Sequence, residues 1–146
     1  ITEADLQEQF TLASKIINKT SDANQAVITI RLIKSQIKKA DYVSTSAYKK
    51  TIIPFVEKIS TIEETLYQVK NQSGQDPLNF PIKLNNRLAS LRRSVENGDA
   101  KPTDGAYEVF EELSIELDKN LGQLKNLLET EVPTINKLLK KPLEFK

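Results

Sequence analysis

The spacing of apolar side chains constrains this chain more than any other feature. Tyr48, Ile52, Phe55, Ile59, Ile62, Leu66 and Val69 recur at alternating steps of four and three residues. That heptad places all of them on one stripe of an α-helix and does not fit the two-residue alternation of a half-buried strand. Comparable stripes run through Leu6, Phe10, Ala13 and Ile17, through Ala23, Val27, Ile30, Ile33 and Ile37, through Leu84, Leu88, Leu91 and Val95, and from Tyr107, Phe110 and Leu113 to Leu128, Val132, Ile135 and Leu138. The β-branched clusters at 27–30 and 51–53 fall within this helical period, so pattern outranks propensity. The chain reads as all-α.

Local signals set the expected boundaries. Thr2 followed by Asp5 forms a capping box, with Asp in place of the usual Glu. No glycine or proline interrupts residues 3–40, so one long helix is preferred there over two meeting near Ser21. Ser44 or Ser46 caps the next helix. Pro54 lies inside its heptad and predicts a kink or a helix start, because proline lacks the N–H and clashes with the preceding turn. Gly74, Pro77 and Pro81 exclude helix from Asn71 to Pro81. Asn97-Gly98 ends the Leu84 helix, with Gly98 free to turn left-handed. Thr103 caps the last long helix, Pro133 bends or restarts it, and Pro142 ends it.

At 146 residues the chain has the size of one domain, spanning 1–146, and such a domain buries roughly 70% of its unfolded surface. Short connections favour antiparallel neighbours. The expected architecture is an up-down-up-down four-helix bundle of long helices, with one shorter helix and a long Pro/Gly-containing loop. In that topology the basic clusters Lys34, Lys38, Lys39, Lys49, Lys50 and Lys137, Lys140, Lys141, Lys146 lie at opposite ends. Ile16, Leu12, Ile53 and Ile115 lie off the main stripes and offer a second seam for weak self-association.

Composition narrows the chemistry. With no histidine and no cysteine, the chain has no histidine triad, no thiolate site and none of the usual zinc sites. A net charge of +1 supplies no global field for nucleic acid, and no apolar run is long enough to span a bilayer. The sequence opens on Ile1 and contains no methionine, so it reads as a segment excised from a longer protein. Glu63-Glu64, Glu111-Glu112 and Glu129 with Glu131 resemble acid and nucleophile pairs only superficially. Adjacent helical residues point about 100° apart, and each pair is expected on a solvated flank rather than across a sugar cleft. No loop has the spaced oxygen ligands of a calcium site. No cofactor or metal is expected. Gly122, inside the last helix, marks either a close helix approach or an accidental position that costs about 1 kcal/mol against alanine.

The segment from Asn71 to Pro81 is polar and proline-fixed, and is followed by Asn85 and Asn86 on the next helix. It packs against the bundle end, with Leu78 and Phe80 as plugs, or it forms a recognition edge for another domain.

Leu66-Tyr67-Gln68-Val69, the run Asn71-Gln72-Ser73-Gly74-Gln75-Asp76-Pro77-Leu78-Asn79-Phe80-Pro81-Ile82, and Leu84-Asn85-Asn86 together resemble the C-terminal helical region of large bacterial proteins with sortilin-like, BNR-repeat β-propellers, commonly labelled glycosyl hydrolases. Ala23-Asn24-Gln25-Ala26-Val27-Ile28 with Ile30-Arg31, and Gly98-Asp99, Pro102-Thr103 and Tyr107, extend the resemblance from about Leu6 to Ile135. Phe80 stands where that family leads one to expect Tyr, and Pro54 interrupts a helix expected to be smooth. The resemblance implies a periplasmic or extracellular parent whose propeller precedes Ile1. Any sugar chemistry would belong to the propeller, and no catalytic residue is implied in this segment. Gln75, Asp76, Asn79, Phe80, Asn85 and Asn86 become the candidate interdomain contact. The rival readings are a free-standing, self-associating bundle and a carboxylate-based hydrolase.

Overall fold

The computed structural model describes residues 1–67 and 83–145. Gln75, Asp76, Asn79 and Phe80 of the candidate contact lie outside these residues, as does Val69 of the heptad.

Helix α1 (Glu3–Lys39) is one unbroken helix of 37 residues, roughly 55 Å long. Its capping box forms as the sequence predicts: Asp5 N donates to Thr2 Oγ1 at 3.0 Å, and Thr2 N donates to Asp5 Oδ2 at 3.2 Å. Ser44 caps the short turn α2 (Thr45–Ala47) through a 3.1 Å bond from Ala47 N. A π-helical turn (Tyr48–Ile52) then leads into α3 (Ile53–Leu66), which carries Pro54 in its first turn. The π-turn is how the chain absorbs this proline. Widening the preceding turn, with Ile53 N donating to Tyr48 O, relieves the ring's clash with the backbone behind it. Helix α4 (Leu84–Glu96) follows, then α5 (Asp104–Thr130), capped by Thr103, and α6 (Val132–Leu138), which restarts at Pro133. Leu139 leaves α6 to form an isolated bridge with Tyr42, and no strand occurs among the described residues.

The molecule is all-helical, but its helices do not alternate up-down-up-down. Glu8 meets Tyr107, Lys19 meets Asp118, and Tyr42 pairs with Leu139. Helices α5 and α6 therefore run parallel to α1. Down this α5–α6 track, Lys58 of α3 meets Glu131, Arg87 of α4 meets Glu116, and Val95 of α4 meets Gln9 near the start of α1. Helices α3 and α4 thus descend one after the other, giving three tracks in place of four helices side by side. Length explains the outcome. With 14 and 13 residues, neither α3 nor α4 alone can cover the apolar seam of α1, and in succession they can. Leu12, Ile16, Ile30, Ile33, Phe55, Ile59, Leu88 and Leu117 belong to one continuous core.

Two further expectations are corrected. Of the expected stripe Leu6, Phe10, Ala13 and Ile17, only Ala13 is buried; Leu6, Phe10 and Ile17 face solvent, and Leu12 and Ile16 face the core in their place. No glycine among the described residues has a positive φ, so Gly98 does not form a left-handed cap. Instead, Gln9 Nε2 donates to the carbonyls of Val95 at 2.6 Å and Gly98 at 2.9 Å, satisfying the C-terminal end of α4 from outside.

Candidate functional site

The parallel course of α1 and α6 overturns the expected separation of the basic clusters. Val43 N donates to Leu138 O at 2.9 Å and Lys140 N donates to Asp41 O at 3.1 Å, which brings both ends together. Lys38, Lys39, Lys49, Lys50, Lys140 and Lys141 are all exposed at this pole. Glu3, Glu8, Asp104, Glu108, Glu111 and Glu112 are exposed toward the other. The net charge of +1 conceals a molecule polarised along its axis.

The most organised ionic site lies where α3 ends against α1. The sequence pattern places Glu63 on a solvated flank, but its side chain is only 6% exposed. Arg31 Nε donates to Glu63 Oε2 at 2.8 Å, and Lys34 Nζ donates to Oε1 at 3.0 Å. The Arg31 guanidinium also lies over the Tyr67 ring, 5.0 Å from its centroid. Burial pushes the Glu63 carboxyl up, but the Arg31 and Lys34 bonds and charges outweigh it and hold the group below the usual carboxylate range. A carboxylate bonded to cations through both oxygens stays ionised at neutral pH and has no proton to give. It is a charged anchor between helices. Its sequence neighbour Glu64 is exposed, as are Glu111, Glu112 and Glu129, while Glu131 pairs with Lys58 at 3.1 Å. None of the carboxylate pairs considered from sequence therefore faces a shared cleft.

The pattern held a faint trace of this anchor. Glu63 occupies a helical position between Ile59, Ile62 and Leu66, inside the apolar stripe rather than opposite it. Its partners sit on α1, far away in sequence, and no local spacing identifies them.

Between α1 and α5 lies a cleft of about 200 Å³ lined in part by Glu8, Leu12, Lys15, Tyr107 and Phe110. Tyr107 Oη donates to Glu8 Oε2 at 3.3 Å; desolvation, and then the Glu8 charge, raise the phenol above its ordinary value and keep it neutral. Farther along the same helix pair, a shallow groove of about 440 Å³ runs over Ala26, Leu121, Leu124 and Leu128. Gly122 beside it has open space where a Cβ would stand, so no helix approaches closely there.

Of the candidate interdomain contact, the structure places Asn85 and Asn86 in the first turn of α4, both half-buried. Asn85 Oδ1 is buried without a hydrogen-bond partner among the described residues, and Lys83 provides no side-chain cap for the helix. No group of three or more potential metal-ligating side chains occurs among the described residues. No described helix is long and apolar enough to cross a membrane. No protein-family model, curated protein or solved structure matches the chain.

Proposed function

We propose that this chain is a non-catalytic helical module that braces or spaces a β-propeller in an exported, glycosyl hydrolase-like protein, with the start of α4 as part of the docking edge. The propeller and the periplasmic or extracellular setting rest on the sequence resemblance carried by Leu66–Asn86 and its neighbours. The observation that carries the docking edge is the start of α4. There an unpartnered amide oxygen on Asn85 coincides with a helix start that has no side-chain cap. Buried polar groups are costly when left unpaired, and uncapped N–H groups attract acceptors. A polar partner surface would supply acceptors to the uncapped N–H groups, and a shift of the Asn85 side chain on docking would free its oxygen for a donor. The Glu63 anchor fits the same reading, because it spends a buried carboxylate on holding helices together.

The test uses the chain together with a propeller encoded upstream of Ile1. Changing Asn85 and Asn86 to alanine, and separately Asp76 and Asn79, should weaken association between propeller and bundle about tenfold or more while far-UV circular dichroism stays unchanged. Association unaffected by both pairs, or a parent sequence without a propeller, removes this reading.

A further inference from the structure

The outer face of α1 carries an apolar stripe that the core does not use. Leu6, Phe10, Ile17, Ile28 and Leu32 are all exposed, Phe10 at 68% and Ile28 at 57%. At 3.6 residues per turn these five fall within an arc of about 80°. The arc lies roughly opposite the core positions Leu12, Ile16, Ala23, Ile30 and Ile37. Helices α3 and α4 flank α1 on one side, through Arg31, Lys34 and Gln9. Helix α5 flanks it on the other, through Glu8 and Lys19, and the segment after α6 lies along that side of the stripe near Leu32 and Lys39, where Glu144 N donates to Gln36 Oε1 at 2.7 Å.

The stripe is self-complementary when reversed. Leu6 and Leu32 stand equally far from the level of Lys19, and so do Phe10 and Ile28. A second α1 laid antiparallel about that level sets Phe10 against Ile28 at the centre of the seam and Leu6 level with Leu32 across its width, twice over, as a two-fold interface requires. The same arrangement opposes the acidic end of one helix to the basic end of the other. Glu3 and Lys39 project at the same angle of the helix, on the same edge of the stripe. Reversal therefore brings Glu3 to about one turn from Lys39 of the second copy. A parallel pair would instead set acid against acid and lysine against lysine, and would align the helix dipoles unfavourably.

We infer that the outer face of α1 is an interface for a second copy of this chain, docked antiparallel about a two-fold axis near the level of Lys19. The seam is not the one expected from sequence. Leu12 and Ile16 are core residues, and Leu6, Phe10 and Ile17 take their place. The surface is distinct from the start of α4, so this interface and the propeller contact stand or fall separately.

Sedimentation equilibrium of the 146-residue chain should show the 16.5 kDa species moving toward twice that mass as concentration rises to about 1 mM. Phe10→Lys with Ile28→Lys should weaken association by about a hundredfold without loss of helicity. Reversing Glu3→Lys alone should weaken it, and adding Lys39→Glu should restore it. Because the chain has no cysteine, Leu6→Cys and Leu32→Cys can be placed on separate chains and mixed with a short bis-maleimide. Cross-linking should occur between the two variants and not within either alone. A monomer at every concentration, association indifferent to Phe10 and Ile28, or cross-linking of Leu6→Cys chains to one another would overturn the inference.

Discussion

Replacing Arg31 and Lys34 together with methionine should cost the fold more than replacing Glu63 with glutamine, although both changes abolish the same two ion pairs. The asymmetry comes from burial. The Glu63 side chain is 6% exposed, whereas Arg31 keeps 51% and Lys34 34% of its surface in water. Without Glu63, both cations relax into solvent, and glutamine refills the volume. That loss should be about 1–3 kcal/mol, the scale of hydrogen bonds to charged groups. Without the cations, a carboxylate is left in a dry site, and stranding a buried charge costs about 3–5 kcal/mol. Methionine retains the apolar length of both stems, so lost packing contributes little, and loss of the Arg31 guanidinium from over the Tyr67 ring adds to the cost in the same direction. Urea unfolding at pH 7 separates the two ranges.

The pH dependence supplies a second readout with opposite signs. In the native chain the Glu63 carboxyl is held below its ordinary value of 4.5. Its contribution is therefore complete above the unfolded value and disappears as pH falls through the lower folded value. In the doubly substituted chain only burial remains, and the folded value rises above the unfolded one. The penalty then shrinks as pH falls from neutral through that raised value, because the carboxyl is protonated and no longer a stranded charge. The stability gap between native and doubly substituted chains should narrow on acidification. Equal costs for the two perturbations within about 0.5 kcal/mol, or a gap that is constant from pH 7 to 4, would refute the reasoning.

Gly122→Ala should stabilise the chain by about 0.5–1 kcal/mol, because the position is helical and exposed with open space for the new methyl; thermal unfolding would show a rise of a few degrees, and a fall would mean a hidden close contact. Gln9→Leu should cost about 0.5–1.5 kcal/mol by removing the side-chain donor that ties α1 to the carbonyls of Val95 and Gly98, and hydrogen exchange should quicken in the last turn of α4 before anywhere else. Leu12→Ala or Ile16→Ala should each lose about 2–5 kcal/mol, while Phe10→Ala changes monomer stability by about 0.5 kcal/mol or less; the reverse order in chemical denaturation would mean that α1 is rotated.

How far the sequence is legible depends on which interactions are local. Caps need only a few neighbouring residues, and Thr2, Ser44 and Thr103 all act where their spacing indicates. The heptad from Ile52 to Leu66, with Tyr48 half-buried ahead of it, and the stripe from Leu84 to Val95 are buried as expected, because each of these helices has one apolar face and no choice of orientation. Helix α1 does have a choice. In its first half Leu6, Phe10 and Ile17 compete with Leu12 and Ile16, and periodicity alone cannot say which side meets the core. The decision is made elsewhere in the chain. Gln9 has to reach the end of α4, and Arg31 and Lys34 have to reach Glu63; those bonds fix the rotation of a rigid 37-residue helix along its whole length. Topology escapes for a related reason. The order of helices is local information, but α3 and α4 share a track because α1 is too long for either one to cover. Once α1 is turned to serve both, its second apolar stripe is left on the outside, and the feature most suggestive of a partner is a by-product of how the core is satisfied.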